Sequence, residues 1–256
     1  MKKQFTAGRR NEIARMLLKD GSVKAVELAK QFDVSTETIR KDIIALEEMG
    51  IAQKSYGGAV SVRDLAERPV AEKAVEHQEE KRAIAEAALS LIPGNSSVFL
   101  DAGSTTGALA DQLTLRDDLI IFTDSISIAD RLCTSGSTVY CTGGRIRPTS
   151  KAATGDWALE QIRNIHVNIA FIGTDSFGTN NGPTSSAYEE SELKKAILQQ
   201  CSKAILLADG SKFQGNGLFR ICTWKDLSAV LTDGSANILN PGKCDEIRKE
   251  TQILYA

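Results

Sequence analysis

The chain has 256 residues, 42% of them hydrophobic and 25% charged, with a net charge of −2. A length of that order favours two domains, and the composition is that of a globular protein with a real core, with no need for disorder. No apolar run reaches the ~20 residues of a membrane helix, and the start MKKQFTAGRRNE has no apolar stretch behind its charges, so a cytoplasmic protein without a membrane partner is expected.

The five cysteines, Cys133, Cys141, Cys201, Cys222 and Cys244, are odd in number and scattered with no CxxC pair, which reads as reduced structural thiols. His77 and His166 are the only histidines, so a metal site has almost no ligands to draw on, and neither metal nor cofactor is expected. Charge is unevenly placed. Residues 1–60 carry 11 Lys/Arg against 8 Asp/Glu, and the remainder 20 against 25, a basic head on an acidic body.

In the head, RRNEIARMLLKDG sets Ile13, Met16 and Leu17 on one helical face and stops at Gly21. AVELAKQF places Ala25, Leu28, Ala29 and Phe32 at i, i+3, i+4 and i+7, a second helix with one buried stripe. A third helix begins in DVSTETIRKDIIALEEMGI, with Ser35 as N-cap, Val34 stapled onto Ile39, and Gly50 ending it. Ile39, Ile43 and Leu46 face inward, which throws Glu37, Arg40, Lys41 and Ile44 to the other side. Two helices joined by the tight DVS turn, the second opening with Ser35, Thr36, Glu37 and Thr38 and showing Arg40 and Lys41, fit a helix-turn-helix entering the major groove of double-stranded DNA. IAQKSYGGAV reads as a hairpin, the wing, with Lys54 and Tyr56 placed against the phosphate backbone. The plainer alternative is a three-helix packing module with solvated charges.

VSTETIRKDIIALEEMGI followed by YGGAV resembles the winged helix-turn-helix signature of the DeoR family of bacterial sugar-metabolism regulators. The family often has two arginines where Arg40 and Lys41 stand, commonly an Arg and a His where Lys54 and Tyr56 stand, and usually a serine cap at Lys24. The head is expected over 1–62.

SVRDLAERPVAEKAVE mixes charges without an apolar period and contains Pro69, so residues 63–76 read as a linker and 77–256 as the body. HQEEKRAIAEAALSLIPGN then gives a helix with Ile84, Ala88 and Leu91 on one face and a turn at Pro93-Gly94-Asn95. Its Glu80-Lys81 and Ile84-Ala85 resemble the EK..IA element that opens the family's effector domain. Beyond it, SVFLD, LIIFTD, TVYCTGG, VNIAFIGTD, KAILLAD and AVLTD alternate with helical stretches, which argues an α/β fold with a parallel sheet buried on both faces. Several runs end on aspartate, at 101, 124, 175, 209 and 233. In open parallel sheets the ligand crevice lies beyond the strands' carboxyl ends, so these acids are expected around a cleft.

LDAGSTTGAL, residues 100–109, runs from strand into helix. Gly103 permits close backbone approach, Ser104, Thr105 and Thr106 bring hydroxyls, and the helix adds oriented N–H groups, an arrangement suited to phosphate. A phosphate nest beside carboxylates suits a phosphorylated sugar or sugar alcohol, with Asp101 reading hydroxyls or bracing the loop. An ordinary strand-to-helix turn is the plainer reading.

LDAGSTT, TDS, TGGRIR, GTD and ADGSKF resemble, in order and spacing, the family's C-terminal sensor domain, whose fold is similar to ribose-5-phosphate isomerase. The resemblance implies an effector set of Asp101, Gly103, Ser104, Thr105, Thr106, Asp124, Arg147, Asp175, Glu189, Lys195, Asp209 and Lys212. Asp124 stands where the family commonly has asparagine, Ser176 and Gly210 replace a glycine and a serine, and Glu189 and Lys195 match only with one extra residue near Pro183. It implies a repressor of a sugar operon that acts as a homodimer or tetramer and has no catalytic residues. Two alternatives stay open: a sugar-phosphate isomerase with an appended helical module, and a body serving only for dimerisation.

Overall fold

The computed structural model describes residues 6–49, 51–55, 57–61, 68–177, 181–215 and 217–256, with backbone alone for 6, 7, 18–20 and 61. The chain divides into two compact units, Met1–Glu67 and Arg68–Ala256.

In the first unit α1 (Thr6–Asp20) ends where Gly21 takes φ +73° and its N–H reaches the Leu17 carbonyl at 3.0 Å. A short strand β1 (Ser22–Lys24) precedes α2 (Ala25–Phe32) and α3 (Thr36–Glu48), and a hairpin of β2 (Ala52–Ser55) and β3 (Gly58–Ser61) closes the unit. Ser35 caps α3 by accepting from the Thr38 N–H at 3.2 Å, a bond worth about 1 kcal/mol. Ile13, Leu17, Leu28, Ile39, Ile43 and Leu46 are all within 2% of full burial and form the core, with Val34 packed against it as the staple requires. Each such side chain contributes about 1.5–3 kcal/mol.

The hairpin is expected from sequence, but β1 is not: three residues are too short for a periodic signal. It makes a three-stranded antiparallel sheet in the order β1-β3-β2. Lys24 lies opposite Gly58, so close that a Cβ on Gly58 would stand 1.9 Å from the Val23 carbonyl oxygen. The Gly57-Gly58 pair is therefore a packing requirement as well as a turn.

The second unit opens with α4 (Val70–Ala74) and α5 (Gln78–Leu89). There follow β4 (Ser97–Leu100), α6 (Ser104–Leu113), β5 (Ile120–Thr123), α7 (Ile126–Leu132) and β6 (Thr138–Cys141). A ribbon of β7 (Arg145–Ile146) and β8 (Ala153–Thr154) leads to α8 (Asp156–Arg163) and the central strand β9 (Val167–Gly173). Then come β10 (Thr184–Ser185), α9 (Tyr188–Gln199), β11 (Cys201–Leu207) and β12 (Phe219–Arg220), which pairs with β10. The chain finishes with β13 (Ala229–Thr232), α10 (Ser235–Leu239), α11 (Pro241–Arg248) and β14 (Gln252–Tyr255). Seven strands form one sheet in the order β14-β13-β11-β9-β4-β5-β6, every neighbouring pair parallel. Six are the apolar runs read from sequence; β14 is the seventh.

Two buried clusters lie on the two faces. Ile84, Ala88, Leu109, Leu113 and Leu132, from α5, α6 and α7, pack with Val98, Leu100 and Phe171. Ala158, Ile162, Leu193, Ile197 and Ile247, from α8, α9 and α11, pack with Phe99, Ile172 and Leu206. Val98 and Leu100 face one side and Phe99 the other, the strand alternation that a doubly covered sheet exploits.

Residues 63–76 do not behave throughout as a linker. Residues 63–67 lie outside the described residues, but 68–76 belong to the body: the Val70 N–H donates to the Thr149 carbonyl at 2.8 Å, and Lys73 pairs with Asp175 at 2.9 Å. Polar contacts hold this segment, which is why an apolar period gave no sign of it.

Candidate functional site

On the head, α3 buries Ile39, Ile43 and Leu46 and leaves Glu37, Arg40, Lys41 and Ile44 exposed, as the helical phase requires. The hydroxyls of Ser35 and Thr38 sit 2.9 Å apart within the cap. The outward set is thus Thr36, Glu37, Arg40, Lys41 and Ile44, with Arg40 3.5 Å from Glu37 in an exposed pair worth little. Lys54 on β2 donates its N–H to Glu47 at 2.9 Å and pairs with the same carboxylate at 3.1 Å, which fixes the wing to α3 and holds the Glu47 carboxyl below its ordinary pKa. Tyr56 lies outside the described residues. Lys24 begins α2 with no side-chain cap, consistent with the absence of the serine.

Behind this face is an arrangement that apolar periodicity did not reveal. Asp42, 1% exposed on α3, accepts from Arg9 Nε at 2.6 Å and Arg10 Nε at 2.9 Å. A buried carboxylate with two guanidinium donors locks α1 to the reading helix.

The body's crevice lies where the strand order reverses. From β4 the sheet runs through β5 and β6 to one edge and through β9, β11, β13 and β14 to the other, so the loops after β4 and β9 flank a topological switch point. Lining it are Gly103, Ser104 and Thr105 after β4, Gly173 at the end of β9 with Thr174 and Asp175 beyond it, Glu190 and Lys194 from α9, Lys212, and Val70 and Lys73 from α4. The first-turn N–H groups of α6 have no intrahelical acceptors.

Aspartates stitch this edge together. Asp101 accepts from the Gly173 N–H at 2.8 Å, Asp124 from the Ala102 N–H at 2.8 Å, and Asp233 from the Gly210 N–H at 2.7 Å. Each is an acid at the end of one strand binding the backbone beyond its neighbour. Asp175 accepts from the Ser186 N–H at 2.8 Å, and Asp209 from the Ser211 N–H at 3.1 Å.

Under the crevice Lys194, 5% exposed, donates to Asp101 at 2.5 Å and to the Gly173 carbonyl at 2.9 Å. Burial disfavours its charged form, but Asp101 and Glu190 outweigh this and hold the lysine above its ordinary pKa. Burial pushes Asp101 up against the pull of Lys194, and pushes Asp124 well up, with the Asp101 charge adding to the effect. Asp175 differs. Burial works against its ionisation, yet the Lys73 ammonium and the Ser186 N–H more than offset that and keep it below the usual carboxylate range.

The expected effector residues therefore separate. Gly103, Ser104, Thr105, Asp175 and Lys212 line the crevice. Asp101 braces the loop from beneath, the second of its two expected roles. Thr106 is buried with its hydroxyl donated to the Asp101 carbonyl at 2.6 Å, so it supports the loop instead of facing a ligand. Asp124 and Asp209 are likewise buried behind the wall, where Asp209 Oδ2 has no hydrogen-bond partner among the described residues. Glu189 lies outside the lining and binds Arg145 and, at 3.0 Å, Arg147. Arg147 comes within 3.4 Å of Glu190 and so touches the site at one remove. Lys195 pairs with Glu192 at 2.7 Å and lines a separate groove with Tyr188, Phe219 and Arg220.

The pair on α9 that faces the crevice is Glu190 and Lys194, one residue away from each expected position. A helix advances 100° per residue, enough to turn Lys195 out of the site. Glu190, Leu193, Lys194 and Ile197 at i, i+3, i+4 and i+7 are the buried stripe, a signal present in the sequence. Lys81 of the EK..IA element, 3% exposed, donates to the carbonyls of Lys73 at 2.6 Å and of Glu76. Burial lowers its pKa, with Asp209 acting in the opposite direction.

Among the described residues, no group of three or more His, Cys, Asp or Glu is disposed to hold a metal ion, and no helix is long and apolar enough to cross a membrane.

Residues 76–234 match the family model described as the DeoR C terminal sensor domain, and residues 9–64 the one described as the DeoR-like helix-turn-helix domain. The chain is similar to a protein of Escherichia coli O157:H7 named for transcriptional repression of the aga operon, 32% identical over 232 residues, 89% of this chain and 86% of the relative. The HTH-type transcriptional regulators GolR of Listeria innocua serovar 6a and IolR of Bacillus subtilis strain 168 are 31% and 30% identical. They match 91% and 86% of this chain over 92% and 88% of their own. Among solved structures, a ribose 5-phosphate isomerase A from Methanocaldococcus jannaschii is similar over 54% of this chain and 55% of its own, at 16% identity and a TM-score of 0.41, a likeness that carries no argument about activity. The relatives are named as regulators, which sets the isomerase alternative aside. With head and body both matched, the chain belongs to the DeoR family of transcriptional regulators.

Proposed function

We propose that this protein is a cytoplasmic, DNA-binding repressor of a sugar or sugar-alcohol utilisation operon, released or engaged by a phosphorylated effector, and that it works as a homodimer or tetramer. The observation that carries the reading is the pairing of two sites in one chain. A capped helix presents half-buried Thr36 and exposed Glu37, Arg40 and Lys41 beside a wing, and a switch-point crevice sets the Ser104-Thr105 helix start among the ammoniums of Lys73, Lys194 and Lys212. Lys73 and Lys194 are held in close ion pairs with carboxylates, whereas Lys212 makes no close ion pair among the described residues and feels Glu76 only at longer range. An anion at the α6 start thus meets N–H groups, hydroxyls and one cation together. Asp175 and Glu190 are placed to accept from hydroxyls along the same ligand.

Two heads on a symmetric assembly read half-sites spaced by multiples of about 10 base pairs. The test is a gel shift on DNA from upstream of the protein's own gene, across a salt series, with and without phosphorylated sugars and polyols. Specific binding with a steep salt dependence, altered by at least one such compound, is the expected result. Indifference to duplex DNA at low ionic strength refutes the DNA reading. Binding that no phosphorylated compound alters, with no thermal shift of the protein, refutes the effector reading and leaves a body serving only for assembly.

A further inference from the structure

The crevice encloses only about 30 Å³. That is room for about one water, whereas small-ligand sites occupy about 300–1,000 Å³. Beside it a groove of about 520 Å³ runs between α4 and α5 on one side and α6 and α7 on the other. Val70, Gly103, Ser104 and Ser150 line both spaces, so Val70 and Ser150, set against the Gly103-Ser104 turn, form the partition between them.

Val70 and Lys73 belong to α4, and the fastenings of α4 are polar. The Val70 N–H donates to the Thr149 carbonyl at 2.8 Å, Lys73 Nζ to Asp175 at 2.9 Å, and buried Lys81 donates to the carbonyls of Lys73 and Glu76. No residue of α4 is buried. A segment without apolar burial sits at the low end of local stability, so these polar contacts set the cost of opening it. It is also the stretch through which the chain enters the body, since the second compact unit begins at Arg68.

We propose that residues 68–77 form a strap that the effector displaces: a ligand too large for the enclosed space drives Lys73 off Asp175 and Val70 off Thr149, joins the two spaces, and loosens the segment leading to the head. The inference rests on the effector reading above and adds its transmission step. Ligand binds the open form, and the closed form lowers apparent affinity by the fraction of molecules in which the strap is shut. If about one molecule in ten is open, apparent affinity is about tenfold below intrinsic.

Two variants of the full chain test it. Lys73→Met removes the ion pair. Val70→Pro removes the N–H that binds Thr149 and trades the isopropyl group for a ring; Val70 is the first residue of α4, where proline is favoured, and Pro69 at ψ 135° already has the conformation a following proline demands. In hydrogen exchange without ligand, amides of 68–77 are expected to exchange faster in both variants, by up to about tenfold, with those of β4 and β9 unchanged as the control for folding. In calorimetry with ribose 5-phosphate, sorbitol 6-phosphate and inorganic phosphate, any compound that binds the parent is expected to bind Val70→Pro up to about tenfold more tightly; Lys73→Met, which also removes a lining ammonium, is read by exchange alone. Unchanged exchange in the correctly folded variants overturns the strap, and so does equal or weaker binding by Val70→Pro. If none of the compounds binds the parent or Val70→Pro, the effector reading is what fails, and the exchange result alone decides the strap.

Discussion

Replacing Lys194 with methionine keeps an unbranched side chain, one atom shorter, and deletes its charge, so the change is chiefly electrostatic. Asp101, 1% exposed, is then left with the Gly173 N–H as its remaining donor among the described residues, while Asp124 and Glu190 stay nearby. The cheapest relief is a proton. Loading a carboxyl of ordinary pKa near 3.9 costs about 4 kcal/mol at pH 7 and about 1.5 kcal/mol at pH 5. The upper figure falls within the ~3–5 kcal/mol typical of breaking a buried pair.

The native variant then holds one proton more than its unfolded form between about pH 4 and 7, so its stability falls as pH rises, by up to about 1.4 kcal/mol per unit. In the parent, Lys194 has a raised pKa, so its stabilisation is complete below the unfolded lysine value of about 10.4 and is lost only at higher pH. Urea denaturation of both chains at pH 5, 6 and 7 reads this directly. Both tryptophans, Trp157 and Trp224, lie in the body and Trp224 is fully buried, so fluorescence reports that unit. A difference below about 1 kcal/mol at pH 7, or one equal at pH 5 and 7, refutes the reasoning.

Asp124→Asn keeps the acceptor for the Ala102 N–H and removes a carboxyl that burial pushes up; a raised acid loses stability as pH climbs through its folded pKa, so the variant is expected to be at least as stable as the parent at pH 7 and to lose that advantage near pH 4, in the same urea assay. Gly58→Ala drives a methyl to 1.9 Å from the Val23 carbonyl, which is expected to cost more than about 2 kcal/mol in the head. Its readout is lost duplex binding with an unaltered tryptophan transition. Asp42→Ala strands buried Arg9 and is expected to cost about 3–5 kcal/mol, seen as faster hydrogen exchange throughout α3. Burial pushes Cys201 up to about 11 and Cys222 up to about 12, so at pH 8 their thiolate fractions are on the order of 10⁻³ and 10⁻⁴. A disulfide reagent is expected to reach exposed Cys133 long before either.

The three head helices were legible because each has an apolar stripe, an N-terminal signal or a terminal glycine. Six strands were legible because a parallel sheet covered on both faces leaves continuous apolar runs. β14 escaped because TQILYA follows a helix and has no fully buried residue, and β1 because pairing with β3, a non-local event, is what makes Ser22–Lys24 a strand. For the site, the Gly103-Ser104-Thr105 turn, Asp175 and Lys212 were readable as motif residues at strand ends. Glu190 and Lys194 line the crevice where the family resemblance implies Glu189 and Lys195, because the buried stripe on α9 runs one residue away from the motif match. Lys73 and Lys81 were invisible as site residues, since what they bind is a carboxylate 102 positions away and two backbone carbonyls.

The reversal of strand order at β4 and β9 has a consequence for biosynthesis. A ribosome delivers β4, β5 and β6 first, and the inner edge of β4 stays bare until the stretch ending at Gly173 has left the exit tunnel. One wall of the crevice comes from the earlier half and the other from the later half, so no ligand assists folding before the two meet. A molecule that spans both walls then acts as a clasp across that seam, hindering the halves from parting after they have joined.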